Sequence, residues 1–171
     1  LAIACAEVAV MNGVEIKLNT EVTGIEKMEG GYKVLTNNGA IETKLVVNAA
    51  GVQADQVNEM INEKKFTIQP NKGEYYLLDK SQGSLVKHVI FQCPNEKGKG
   101  VLISPTTSGN YLVGPSANLV ARDEKSTDKP TLNNVKEQAN QVISNIPYYE
   151  TIRTFSGLRA TPSTHDFIIE E

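Results

Sequence analysis

Residues 66–78 read Phe-Thr-Ile-Gln-Pro-Asn-Lys-Gly-Glu-Tyr-Tyr-Leu-Leu, and from this point the chain becomes rich in strand-forming residues. Apolar and aromatic side chains recur in short runs, and Gly, Pro, Ser and Asn separate each run from the next. This pattern predicts short strands joined by loops. The runs lie at residues 66–69, 74–78, 86–92, 100–104 and 111–114. We therefore predict one broad antiparallel or mixed β-sheet here.

Downstream of these strands, the sequence predicts one helix that covers the sheet. Residues 116–129 are polar and predict a loop. Apolar residues then return at helical spacing until Pro147, which cannot continue a helix. Those apolar positions are Leu132, Val135, Ala139, Val142, Ile143 and Ile146. Strand patterns resume at residues 151–156 and 166–169.

Upstream, helix and strand patterns alternate. Residues 1–11 are apolar on nearly every side, which predicts a helix packed on more than one face. Strand patterns follow at residues 14–18, 22–28, 32–36 and 45–48. The last of these ends in Ala49-Ala50-Gly51, before a weakly amphipathic helix. Three small residues in a row allow another group to approach the backbone closely.

Composition excludes several classes of function. The chain has 171 residues, 40% hydrophobic, enough for one domain or parts of two. Its net charge of -3, without a basic stripe, argues against a nucleic-acid partner. No apolar stretch reaches the roughly 20 residues of a transmembrane segment. With no secretory signal and two widely separated cysteines, Cys5 and Cys93, we expect a cytoplasmic protein, with peripheral membrane attachment of the parent enzyme left open.

Motifs for metal binding or nucleophilic catalysis are absent: the sequence has no HExxH, CxxC, GxSxG or P-loop. Gly98-Lys99-Gly100 opens no helix, so we interpret it as a hairpin turn rather than a dinucleotide-binding turn. His88 and His165 have no second histidine, cysteine or motif beside them that would make a site. We predict no metal site, and the catalytic residue stays unknown, with His88 a candidate only by residue type.

A series of short motifs, in order along the chain, carries a family resemblance. They are Gly-Val at 13–14, Thr-Glu-Val at 20–22, Val-Val-Asn-Ala-Ala-Gly at 46–51, Lys-Gly-Glu-Tyr-Tyr at 72–76, Gly-Asn-Tyr-Leu-Val-Gly-Pro at 109–115 and Phe-Ser-Gly-Leu-Arg at 155–159. The series resembles the FAD-dependent oxidoreductases of the D-amino-acid oxidase superfamily. Within it, the likeness is greatest to glycerol-3-phosphate dehydrogenases and L-2-hydroxyglutarate dehydrogenases.

The resemblance implies an α+β chain cut from a longer enzyme. Residues 1–53 would form part of an FAD-binding α/β domain, 54–157 the substrate-binding domain with a mainly antiparallel sheet flanked by helices, and 158–171 the start of the return to the FAD-binding domain. The family's Gly-rich pyrophosphate turn is not in this chain. We therefore expect the N- and C-terminal parts of the polypeptide to be missing, and this fragment alone to retain no FAD and to be inactive.

On the cofactor side, the resemblance assigns FAD contacts to Val22, Ala49, Ala50 and Gly51. Val22 matches a position whose backbone meets the adenine, and the three small residues match a tight strand end against the cofactor. A simple tight turn is the alternative interpretation. Gln53 departs from the family, which often has an aromatic residue in this stretch.

On the substrate side, the resemblance assigns Arg159 and Tyr75. Arg159 matches the arginine that binds the substrate's carboxylate or phosphate, at the start of a loop after a strand, and a surface arginine is the alternative. Strand alternation allows at most one of Tyr75 and Tyr76 to point directly at the flavin, and we favour Tyr75. At Lys72 the hydroxyglutarate enzymes commonly have Arg, whereas the glycerol-phosphate enzymes have Lys but a different following pair. This motif therefore does not decide between the two subfamilies.

The implied activity of the parent enzyme is hydride transfer from a small anionic hydroxy substrate to FAD. Glycerol 3-phosphate is the first expected substrate. L-2-hydroxyglutarate, another 2-hydroxy acid or an amino acid is the alternative. A stand-alone ligand-binding module is the alternative from another class.

Overall fold

The computed structural model describes residues 1–82, 85–93 and 100–170, which divide into two compact units. The first unit comprises residues 1–50 and 56–64. The second comprises residues 51–55 and the chain from residue 65 onward. The domain limits 53/54 and 157/158 derived from the sequence stay predictions.

The first unit contains a helix and a small antiparallel sheet. Helix α1 (Ala2–Met11) precedes strands β1 (Val22–Met28), β2 (Gly31–Thr36) and β3 (Gly39–Thr43), which pair in that order. The helix and the first two strands were predicted. We expected α1 to be packed on more than one side, but none of its residues is buried against the described part of the chain.

Two predicted strands of the first unit do not form. Residues 14–18 and 45–48 are irregular, and Leu45 and Val47 are 70% and 80% exposed. Alternation or a run of apolar residues indicates only that a strand is permitted. A strand also needs an adjacent backbone to hydrogen-bond, and no strand of the described residues pairs with these segments. Further along, the predicted short helix is α2 (Ala54–Glu59), preceded by a 3₁₀ turn at Gly51–Gln53.

The second unit is built on a six-stranded sheet in which every pairing is antiparallel. Its strands are β4 (Ile68–Leu78), β5 (Ile90–Phe91), β6 (Leu102–Pro105), β7 (Tyr111–Gly114), β8 (Asn118–Leu119) and β9 (Thr151–Pro162). The order is β5-β6-β7-β4-β8, and β9 pairs with β4 along nearly its whole length. The predicted α+β class with a mainly antiparallel sheet is confirmed.

Several strand limits differ from those predicted. The strands expected at 66–69 and 74–78 are one strand, β4, because β9 pairs with it continuously past Gly73. In 86–92 only Ile90–Phe91 pairs, with β6. Residues 166–169 form no strand. The expected hairpin turn at 98–100 lies outside the described residues, except for Gly100.

Helix α3 (Lys129–Val142) packs against β4 and β7 and closes the core. Leu132, Val135 and Ala139 are buried, as predicted, and each buried Val or Leu contributes roughly 1.5–3 kcal/mol. The helix begins at the Asp128 cap, whose Oδ1 accepts a hydrogen bond from the Thr131 amide at 2.8 Å. It ends before the predicted limit at Pro147, because the backbone is already extended at residue 143.

Candidate functional site

Strands β4 and β9 form a sheet face that brings the two predicted substrate residues together. In the antiparallel register Asn71 lies opposite Arg159, Gly73 opposite Gly157 and Tyr75 opposite Phe155. Directly opposed residues of an antiparallel pair project to the same side, and so do residues two apart along a strand. We call the side that carries these six residues the open face. Arg159 and Tyr75 therefore share one surface.

An aromatic pair marks one end of the open face. The Tyr75 and Phe155 rings stack with centroids 5.2 Å apart and planes 7° apart, which contributes about 0.5–1.5 kcal/mol beyond burial. Gly114 lies beside the Tyr75 ring with φ +148°, and a Cβ there would come within 2.7 Å of Tyr75 Cδ1. The stacked rings therefore present a fixed apolar surface.

Arg159 lies at the other end of the open face, roughly 13 Å along the strand from Phe155. It is exposed, and among the described residues it forms no hydrogen bond or ion pair. The sequence placed Arg159 at the start of a loop, but it lies inside β9, which continues to Pro162. A strand interior holds the arginine backbone more firmly than a loop would. The guanidinium is available to a carboxylate or phosphate, which it can bind with two parallel hydrogen bonds.

The opposite side of β4 carries a buried ion pair. Lys72 and Glu74 are 4% and 0% exposed, with Lys72 Nζ 2.9 Å from Glu74 Oε1. Lys72 Nζ also donates to the Ser126 carbonyl at 2.8 Å, and the Asp128 amide donates to Glu74 Oε2 at 3.0 Å. The hydrogen bond to Glu74 raises the pKa of Lys72, although burial opposes the shift. Lys72 therefore points away from the open face and fixes the segment before α3 against the sheet.

A second ion pair, which the sequence did not suggest, joins the buried Asp55 to the partly exposed Arg122 and holds the 3₁₀ turn against β4. Arg122 Nη1 and Nη2 donate to Asp55 Oδ1 and Oδ2 at 2.7 and 2.5 Å. The Ile68 amide donates to Asp55 Oδ2 at 2.7 Å, and Arg122 also donates to the carbonyls of Ile68 and Val52. Residues 51–55 are thereby fixed to the start of β4. Asp55 and Arg122 are 67 positions apart, so no local pattern signals the pair.

The predicted adenine contact, Val22, opens β1 beside a bulge. Val22 pairs with Thr36 and Gly24 with Leu35, so Thr23 is the extra residue on β1. In the three-stranded sheet of the described residues, β1 is an edge strand. One side of its backbone therefore has no neighbouring strand in that sheet.

Ala49 and Ala50 are exposed and have irregular backbone, and they lead into the 3₁₀ turn, whose first residue is the exposed Gly51. Asn48 Oδ1 accepts a hydrogen bond from the Ala50 amide at 3.2 Å. Gly51 has φ +58°, which favours glycine, and a Cβ there would meet no atom within 4 Å. The tight turn exists, and its backbone is accessible.

The remaining candidates are the two histidines, neither of which belongs to the open face. His88 is exposed in an irregular segment, and His165 is exposed with φ +56°. Across the described residues, no cluster of three or more His, Cys, Asp or Glu side chains could hold a metal ion. Within the same residues, none of the helices has the length and apolar character that crossing a membrane requires.

The chain belongs to the DAO family of FAD-dependent oxidoreductases, whose family model matches residues 1–171. It is 49% identical to a glycerol 3-phosphate dehydrogenase of Caloramator mitchellensis over 99% of this chain and 35% of that protein. It is 30% identical to an L-2-hydroxyglutarate dehydrogenase of Escherichia coli K12 over 71% of this chain and 30% of that protein.

Among solved structures, the FAD-bound, dithionite-reduced L-alpha-glycerophosphate oxidase of Mycoplasma pneumoniae matches with a TM-score of 0.87 and 30% identity. The match covers 96% of this chain and 44% of that chain. The matches therefore cover between 30% and 44% of the length of these relatives. The resemblance inferred from the short motifs is confirmed.

Proposed function

We propose that the protein to which this chain belongs is an FAD-dependent dehydrogenase or oxidase of glycerol 3-phosphate. The observation that carries this proposal is the open face, where the Arg159 guanidinium, unpaired among the described residues, shares one side of a strand pair with the stacked aromatic rings. Such a face suits a small substrate with an anionic group at one end. Similarity to glycerol 3-phosphate enzymes supports the choice of substrate.

Accessible backbone supports the assignment of these residues to the cofactor. The edge-strand backbone beside Val22 offers amide and carbonyl groups, and the exposed backbone at Ala49, Ala50 and Gly51 lacks bulky side chains. We assign FAD contacts to these four residues. When bound, FAD supplies the acceptor for a hydride from the substrate carbon. We further propose that other parts of the same polypeptide complete the cofactor site.

In this proposal Arg159 binds the phosphate and fixes the substrate's orientation. A planar fork of donors inside a strand restricts rotation of the anion, which helps to position the reacting C–H bond. The Tyr75 ring, held by Phe155 and Gly114, bounds the face on its apolar side. No residue of this chain is assigned as the base. We also propose a cytoplasmic location, because both described cysteines are free and exposed, as suits a reducing compartment.

L-2-hydroxyglutarate is the second candidate substrate, because a guanidinium binds carboxylate as readily as phosphate. Similarity to the E. coli enzyme favours it. Oxidation of an amino acid rests on the fold alone. A stand-alone binding module, by contrast, would need neither flavin nor turnover.

The test is substrate-dependent reduction of the flavin in the full-length protein, measured anaerobically as loss of flavin absorbance. The three substrates are glycerol 3-phosphate, L-2-hydroxyglutarate and glycine. We expect the second-order rate constant of flavin reduction to be at least about tenfold higher with glycerol 3-phosphate than with the other two. Faster reduction by L-2-hydroxyglutarate or glycine would reassign the substrate. A full-length protein without flavin would contradict the proposed function and favour a binding module.

A further inference from the structure

Gly157 is a glycine that the fold does not require. It lies in the interior of β9, its backbone is outside the left-handed region, and a Cβ added to it would meet no atom of the described residues within 4 Å. Glycine inside a strand is destabilising relative to alanine, because it has more conformational freedom to lose and no side chain to pack. Neither backbone conformation nor internal packing explains its presence.

The glycine opposite it has a structural explanation. A Cβ on Gly73 would lie 2.8 Å from Pro115 Cβ, closer than real contacts allow. Gly73 is therefore needed so that Pro115 can lie on the sheet. Of the two opposed glycines, Gly73 is thus explained by packing against Pro115, whereas Gly157 leaves an open space above the sheet.

The space above Gly157 has a chemical polarity set by its neighbours. Phe155, stacked on Tyr75, lies two residues before it on the same face, and Arg159 lies two residues after it. Each neighbour is therefore roughly 6.6 Å from Gly157 along the strand. A molecule over Gly157 would have an apolar wall on one side and a cation on the other. A short carbon chain with one anionic end fits between them.

We propose that Gly157 is a specificity-determining residue, whose missing side chain leaves room for the carbon chain of a small anionic substrate bound to Arg159. This inference rests on the proposed function, which places a substrate on the open face. It adds the residue that limits the size of that substrate. A methyl group at position 157 narrows the space, and a branched side chain fills it.

The experiment compares Gly157→Ala and Gly157→Val in the full-length flavoenzyme. We expect Gly157→Val to raise the KM for glycerol 3-phosphate by more than about 30-fold, with Gly157→Ala between it and wild type. Inorganic phosphate as a competitive inhibitor needs only Arg159, so its inhibition constant should change by less than about threefold. Flavin content should be unchanged, and Tm should stay within about 2 °C of wild type or rise, because Ala and Val suit a strand better than Gly.

Gly73→Ala is the matched control, because the same methyl group there meets Pro115. It should lower Tm, which Gly157→Ala should not do. The inference is overturned if Gly157→Val leaves the KM within about threefold of wild type, or weakens phosphate inhibition as strongly as it raises the KM. It is also overturned if the variant binds less flavin or has a lower Tm.

Failure of the proposed function has a different signature. If wild type is not reduced by glycerol 3-phosphate, the KM series is measured with whichever of the three substrates does reduce the flavin. A graded loss from Gly to Ala to Val would then support the role of Gly157 with another substrate. If none of the three reduces the flavin, both the proposed function and the role of Gly157 are wrong.

Discussion

Arg159 lies in the interior of β9, on the same side as the Tyr75 ring and opposite Asn71. An arginine held there can orient an anion as well as attract it. Its planar guanidinium can direct two parallel N–H donors at one anion, whereas a lysine at this site would offer a single charged point. Substitutions of Arg159 can therefore separate the effect of its positive charge on substrate binding from the effect of its planar shape.

For Arg159→Lys in the full-length enzyme, we expect kcat/KM with glycerol 3-phosphate to fall roughly 10- to 100-fold, because one charge-assisted hydrogen bond is lost. Arg159→Ala should be worse. Glycerol, which lacks the phosphate, is the control substrate, and Arg159→Ala should be no worse on it than wild type. Equal impairment with both substrates, or loss of flavin, would make Arg159 a structural or cofactor residue.

At the scale of elements, the start of α3 depends on Asp128. Its carboxylate accepts a hydrogen bond from the Thr131 amide, and this hydrogen bond is the main reason that the pKa of Asp128 is lowered. A lowered pKa in the folded state means that the carboxylate stabilises the fold above its unfolded pKa of about 3.9. That contribution is lost as the pH falls through the folded pKa.

We expect Asp128→Ala to lower the free energy of unfolding by about 1 kcal/mol at neutral pH, measured by urea denaturation of the full-length protein. The difference from wild type should shrink below about pH 4. Asp128→Asn is the matched control, because it keeps an acceptor at the cap but does not titrate. A loss that is the same for Ala and Asn, or independent of pH, would show that the cap is not the cause.

Elements also show what sequence patterns can and cannot predict. The spacing of Leu132, Val135 and Ala139 predicted α3, because burial of one helix face is a local property. Residues 45–48 looked like a strand but have no partner strand among the described residues. The alternation of side chains does not reveal which backbone lies alongside. Residues 70–73 looked like a break between two strands, because sequence alone does not show that β9 pairs across them.

The residues of the candidate site could be predicted from the sequence only in part. Tyr75 and Arg159 could be selected by resemblance, but their common face depends on the β4 and β9 register, which joins positions 84 apart. The buried partnership of Lys72 with Glu74 followed from no motif, since either residue alone suggests a surface charge. The Asp55 and Arg122 pair was missed for the same reason.

At the scale of the whole molecule, we propose that the chain carries only part of the cofactor site. Among the described residues no Gly-rich turn opens a helix, the element that binds a pyrophosphate through backbone amides. We expect residues 1–171, purified alone, to contain no stoichiometric FAD, measured from the ratio of flavin to protein absorbance. The full-length protein purified in the same way is the control. A yellow preparation of the chain alone, with flavin near stoichiometry, would refute this prediction.

The alternation along β4 has a consequence for mutational tolerance. Asn71 and Tyr75 face outward, whereas Lys72 and Glu74 lie beneath the sheet in a buried ion pair. In a saturation library, substitutions at positions 71 and 75 should change which molecules the enzyme accepts while the yield of folded protein stays high. Substitutions at 72 and 74 should reduce that yield. Substrate selectivity can therefore change at the positions of β4 that lie on the open face, while the positions that alternate with them stay fixed by the fold.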